Sequence, residues 1–210
     1  MQPVILLDHK VVETATASMR TAGVNEAGGV LLGFRRGPHL HGTIATVPAS
    51  RDRATPTRFH RQDPRHQEIA LEAWRRSNGY VDWIGEWHSH PGGSSIPSRV
   101  DLETWTQQVG RVGTPMMFLI VSSRQMGVFL MRPREKLPAQ LQELDRASEG
   151  IIFGDRVFIQ SLGMCSGPST AKMRITPSIS NGTFRSCAIL PSRSIRLTYN
   201  DCSHTSSPTD

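Results

Sequence analysis

At 210 residues with a formal charge of +6, the chain is long enough for one well-buried domain plus an appendage and too short for two ordinary domains. No apolar run approaches membrane-spanning length, and Val4–Leu7 is a short apolar run with neither a basic region before it nor a cleavage site after it, so a first strand rather than a signal peptide, no membrane span and a cytoplasmic protein are expected. From Ser161 onward five Lys or Arg face two acids, supplying +3 of the charge; the remaining +3 over 160 residues is ordinary and does not mark a nucleic-acid binder.

Taken in order, Val4 to Leu7 reads as a strand, and Asp8 is placed to cap a helix carrying Val12, Ala15, Met19 and Ala22 on one face, closed by Gly23. Asn25 to Phe34 follows as a strand fronted by Gly28 and Gly29, where backbone or ligand can approach closely. Glu26 stands at the mouth of that strand. His41 to Val47 alternates as a hairpin partner. Arg51, Arg53, Arg58 and Arg61 make a basic loop leading to a strand near Phe59, read as a solvated loop or as a substrate-facing patch. Asp63-Pro64 starts a helix with Ala70, Ala73 and Trp74 on its apolar face, ending at Gly79, and Tyr80 to Trp87 returns as a strand. Leu102, Trp105 and Val109 recur at helical spacing after Ser98. Pro115 to Ser122 is a continuous apolar run of central-strand type, with Gly127 to Arg132 as its hairpin partner. Leu137, Leu141 and Leu144 predict one more amphipathic helix. From about residue 161 the chain holds eleven serines and six threonines in fifty residues with no sustained period, the composition of a weakly ordered tail. Its cysteines, Cys165, Cys187 and Cys202, match neither a zinc pair nor a disulfide framework.

The chemistry concentrates between Gly85 and Asp101. Side chains on a strand alternate with period 2, so His88 and His90 project to one face and can reach one ion. Pro91 and the Gly92–Ser95 run end the strand and leave a loop able to return Ser98 and Asp101 over that ion. Asp101 as third ligand completes a His2Asp set whose open fourth position is the catalytic arrangement for zinc. Ser98-X-X-Asp101 is also a helix capping box, and the two readings are compatible. His39-Leu40-His41 has the same spacing with no acid placed after it.

Glu26, then Gly29-Val30-Leu31-Leu32-Gly33, then His88-Ser89-His90-Pro91, six residues, Ser98, two residues and Asp101 resemble the JAMM motif of the MPN family metallopeptidases. The resemblance covers roughly residues 1 to 134. Within the family the chain looks most like the bacterial branch encoded beside ubiquitin-activating-like and ubiquitin-conjugating-like enzymes in antiphage defence operons, on Gly85–Pro91 and Arg65-His66-Gln67. The resemblance implies an α/β MPN (JAB) domain over 1–134, a mixed and mainly antiparallel sheet flanked by helices; the leucine spacing adds a helical extension over 135–160 and composition sets off the tail over 161–210. The resemblance also implies that His88, His90 and Asp101 bind Zn2+, that Glu26 is the general base and that Ser98 helps hold the oxyanion. Glu86 shares the histidine face by period 2 and reads as a group orienting an imidazole.

The resulting expectation is an isopeptidase or peptidase acting after the C-terminus of a ubiquitin-like or otherwise conjugated protein. Its partners would include the operon's activating and conjugating-like enzymes, with neither nucleic acid nor membrane. The substrate tail is expected to bind extended along a sheet edge. Processing of a sulfur-carrier or phage-tail precursor by the same site, and a non-catalytic MPN scaffold, are the alternatives that zinc analysis and gene neighbourhood separate.

Overall fold

A computed structural model of the chain describes residues 2–155. The elements run β1 (Ile5–Asp8), α1 (His9–Ala22), β2 (Gly28–Arg36), β3 (His39–Ala45), β4 (Arg53–Thr55), β5 (Arg58–His60), α2 (Arg65–Arg76), β6 (Asp82–His90), α3 (Arg99–Val112), β7 (Met116–Ser122), β8 (Met126–Met131), β9 (Ala139–Arg146) and β10 (Gly150–Gly154). Eight strands close into a barrel in the order β1-β10-β9-β8-β7-β6-β2-β3, and β4-β5 form a separate two-stranded sheet. Among the described residues only the β1–β3 and β6–β7 pairs are parallel. Closure leaves the barrel no edge, so among the described residues the sheet edges open to an extended peptide belong to β4–β5.

The continuous apolar run of β7 follows from burial on both faces. Met117, Leu119 and Val121 join Val11, Ala15 and Met19 of α1 in the main core. The alternate residues Met116, Phe118 and Ile120 lie under Trp105 and Val109 of α3. Trp105 stacks on Phe118 at 4.3 Å between centroids and 11° between planes, which fixes α3 on the sheet. Further along the same face Ala70 of α2 packs on Val30 and Leu32, with Trp83 touching both clusters. Trp74 does not join it: that ring is 42% exposed and turned toward Gly79.

Two further expectations are corrected. The segment given to a helical extension forms β9 and β10, which complete the barrel by pairing with β8 and β1. Leu141 and Leu144 are spaced by three because a bulge interrupts the alternation: Ile152 pairs with Asp145 and Phe153 with Glu143, stepping over Leu144. That spacing imitates a helix. The second correction concerns Asp8, which sits at the N-cap of α1 but makes no side-chain cap bond. Its Oδ1 bonds His41 Nε2 at 2.7 Å instead. The serine- and threonine-rich tail and its cysteines lie outside the described residues.

Candidate metal centre

β6 delivers the two histidines as period 2 requires, Trp87 and Ser89 inward and His88 and His90 toward the cleft. Ser89 is fully buried; its N–H donates to the Ala27 carbonyl at 2.8 Å and its Oγ accepts from the Ala27 N–H at 2.8 Å. The residue between the histidines thus fastens β6 to the segment that carries Glu26. Close approach of β2 needs glycine at position 29, where a Cβ would lie 2.2 Å from the Thr46 carbonyl oxygen.

Asp101 arrives from α3 through the capping box. The Ser98 N–H donates to Asp101 Oδ2 at 2.6 Å, and the Asp101 N–H donates to Ser98 Oγ at 3.2 Å. Helix start and carboxylate position are therefore one device.

Three side chains converge. His88 Nε2 lies 3.1 Å from His90 Nε2 and 3.3 Å from Asp101 Oδ1, and His90 Nε2 lies 3.6 Å from Asp101 Oδ2. A tetrahedral ion with bonds of about 2.0–2.1 Å has ligand–ligand edges of about 3.3–3.4 Å, so the separations suit one ion. His90 Nδ1 sits 2.9 Å from the Ser94 carbonyl, an acceptor that requires the proton on Nδ1 and leaves Nε2 free to ligate. Burial opposes ionisation of Asp101, but hydrogen bonds from His88, His90 and Ser98 hold its carboxyl far below the ordinary range. The donor set accordingly offers two imidazoles and one anion, as a zinc site does.

Glu26 is buried with its carboxylate 4.0 Å from His90 Nε2. Burial pushes its carboxyl above the ordinary value, against the pull of His88 and His90. The β4–β5 hairpin holds it at both ends: the Glu26 N–H donates to the Thr55 carbonyl at 2.9 Å, and the Phe59 N–H donates to its carboxylate. Glu86 behaves differently from the expectation: its two oxygens accept from Arg61 and from Gln108 Nε2 rather than orienting an imidazole.

Sequence reasoning missed what holds the hairpin. Asp52 Oδ1 accepts from the N–H groups of Gln62 and Asp63, and Oδ2 from Ala49 N–H and His66 Nε2, all at 2.8–2.9 Å. His66 Nδ1 meets Thr46 Oγ1 at 2.6 Å, and Thr46 Oγ1 accepts from the Val30 N–H at 2.9 Å. The Asp52 carboxylate only accepts, so a proton sits on His66 Nε2, and in the neutral ring Nδ1 accepts from the Thr46 hydroxyl. One carboxylate thus gathers both ends of the 49–63 loop, with the Asp52 and His66 side chains each 2% exposed. The only local signal is an aspartate amid arginines followed by a histidine in the first turn of a helix; the pairing itself spans fourteen residues.

A barrel packed against helices on both faces, a His2Asp cluster at the end of a strand and a buried glutamate opposite describe the JAB class of domain. Residues 8–133 match the family model of prokaryotic homologs of the JAB domain, and the chain belongs to that family. Relatives described as CD-NTase/cGAS isopeptidase include a Vibrio cholerae protein, 32% identical over 58% of this chain and 77% of that one, and an Escherichia coli protein, 36% identical over 49% and 65%. A Pseudomonas aeruginosa relative of the same description is 40% identical over 39% of this chain and 52% of its own length. The matched region thus falls short of two thirds of the E. coli and P. aeruginosa proteins. A solution structure of a Desulfitobacterium hafniense protein shares the fold with a TM-score of 0.50 and 26% identity, covering 65% of this chain and 88% of that one.

Proposed function

We propose that this chain is a zinc-dependent isopeptidase that hydrolyses the bond after the C-terminus of a ubiquitin-like or similarly conjugated protein. The relatives' description favours a conjugate of the CD-NTase or cGAS kind, in the defence setting that the branch resemblance implies. The observation that carries the reading is the convergence of His88, His90 and Asp101 with Glu26 beside them.

His88 Nε2, His90 Nε2 and the Asp101 carboxylate are the groups that would hold the ion. Bound there, zinc supplies water with a pKa lowered to about 7 and a Lewis acid to polarise the scissile carbonyl. Glu26 takes the proton of the attacking water on its carboxylate and passes it to the departing lysine or peptide amine, a role commonly worth about 10²- to 10⁴-fold in rate. Burial suits Glu26 to this exchange, since a carboxyl with a raised pKa holds the proton longer before release. The Ser98 hydroxyl keeps a proton to donate: its oxygen accepts the Asp101 N–H, leaving the O–H free for oxyanion charge. Arg61, Glu86 and Gln108 line the same cleft and hold its wall in place.

Purified chain should hold about one zinc, and Glu26→Gln should abolish cleavage of a conjugate while keeping the metal. His88→Ala should lose both. Cleavage that persists in both variants, or that survives full removal of zinc, would sink the reading.

A further inference from the structure

One face of the hairpin beside the cleft carries charge that no acid balances among the described residues. Arg53 stands opposite His60, Ala54 opposite Phe59 and Thr55 opposite Arg58. Alternation puts Arg53, Thr55, Arg58 and His60 on one face, and Ala54 and Phe59 on the other. On the second face Ala54 is exposed, but half-buried Phe59 turns to the barrel, so close to β2 that a Cβ at Gly28 would lie 2.5 Å from its ring. The first is open: Arg53 and Arg58 are exposed, and Arg58 and His60 line the cleft that holds His88 and Asp101.

Neighbouring cations show what balanced charge looks like here. Arg61 is paired with Glu86 and lies over the Trp83 ring, whereas Arg53 and Arg58 enter no ion pair among the described residues. Burial, then the Arg58 and Arg53 charges, push His60 below its ordinary value. The face therefore presents two permanent cations around a neutral imidazole. Like charges set together on so short a hairpin repel each other. Asp52 gathers the loop's two ends and so anchors the hairpin backbone that carries them. Unpaired guanidiniums carried on an anchored hairpin, one at the cleft and one beside it, can meet an anion that arrives with the substrate.

We propose that the face formed by Arg53, Arg58 and His60 binds an acidic, extended stretch of the substrate protein next to the scissile bond, and so selects conjugates by negative charge there. This rests on the isopeptidase reading of the same cleft and names its substrate class. A nucleic acid is the rival polyanion and fits less well: proteins that hold duplex DNA make about 6–10 phosphate contacts, and this face offers two permanent charges.

The test is fluorescence anisotropy with the full chain and three labelled ten-residue peptides of matched length, one rich in Asp and Glu, one with Gln and Asn at those positions, one with Lys. A neutral chelator, 1,10-phenanthroline, is present so that no carboxylate–metal bond contributes. The acidic peptide should bind about tenfold more tightly than its neutral counterpart, about what two rim ion pairs supply, and the advantage should shrink in 0.5 M salt. Arg53→Glu/Arg58→Glu should reverse the preference toward the Lys peptide. If circular dichroism shows that variant unfolded, Arg53→Gln/Arg58→Gln replaces it and should erase the preference. Equal binding of acidic and neutral peptides by the unaltered chain, or a preference that survives the substitutions, overturns the proposal. So does duplex DNA that binds more tightly than the acidic peptide and is released by the same substitutions. The peptides contain no conjugate bond, so a chain that cleaves nothing would fail the isopeptidase reading while leaving this measurement intact.

Discussion

The chain carries two His-X-His segments, and they do different things. His39 and His41 lie on β3 as His88 and His90 lie on β6, each pair on one strand face with a buried residue between. On β3 the rings part company: His39 Nδ1 accepts the Val4 N–H at 3.1 Å, and His41 Nε2 bonds Asp8 Oδ1 at 2.7 Å. On β6 the two Nε2 atoms point at each other and at Asp101. The middle residue also differs, since Leu40 joins the main core whereas Ser89 fastens β6 to Ala27 beside Glu26. Spacing therefore guarantees a shared face and nothing more. A centre needs a third donor held rigidly at the right place, and ring nitrogens that no other bond has claimed.

Metal content should break the two segments apart most sharply. Asp101→Ala and His90→Ala are each expected to reduce zinc from about one ion per chain to background after dialysis, as removing one of three protein ligands from such a site does. His39→Ala/His41→Ala should keep the full content. Elemental analysis measures both, and zinc lost from the β3 variant would overturn the distinction.

His66, the one fully buried histidine among the described residues, sharpens it next. Asp52→Ala strands His66 and three backbone N–H groups, and should cost about 3 kcal/mol in urea unfolding without touching the zinc ligands. The pH dependence has a definite sign. Burial works against ionisation of Asp52, yet the bonds from Ala49, His66, Asp63 and Gln62 hold its carboxyl below the ordinary value. A depressed carboxylate contributes stability that is fully present above its unfolded pKa of about 3.9 and is lost as pH falls through the lower folded value. The unaltered chain should lose stability on acidification below about pH 4, and Asp52→Asn should flatten that loss.

The parts of this molecule that were legible in the sequence are those fixed by local backbone geometry. His88 and His90 share a face because strands alternate, and Asp101 follows Ser98 by the three residues that a capping box requires. The glycines at 28 and 29 and the two-sided apolar run of β7 announce themselves in the same way. What stayed hidden depends on partners far along the chain. Leu141 and Leu144 look helical until the bulge opposite Ile152 and Phe153 is known. Asp8 has a better offer from His41, thirty-three residues on, than from its own helix. Asp52 looks like one acid in a basic loop, and only the folded chain brings Ala49, Gln62, Asp63 and His66 around it.

Ser98→Ala comes next in size. It removes the acceptor of the Asp101 N–H, and should cost about 1 kcal/mol of stability through the lost cap. The freed helix start also loosens Asp101, so zinc affinity should fall about tenfold, in the range seen when groups supporting a ligand are removed. Competition with a chromophoric chelator reads this directly; unchanged affinity would mean that the Ser98 N–H alone holds the carboxylate.

The smallest effect tests the β3 segment from the opposite direction. The Asp8 and His41 side chains are 32% and 29% exposed, so water and salt screen their contact, and Asp8→Ala should cost about 0.5 kcal/mol. That substitution releases His41 Nε2, while His39 Nδ1 stays engaged with the Val4 N–H. If two histidines at this spacing were enough for a centre, freeing the ring would raise the zinc content toward two per chain. It should stay at about one, because among the described residues no carboxylate is fastened opposite β3 in the way that the capping box fastens Asp101 opposite β6.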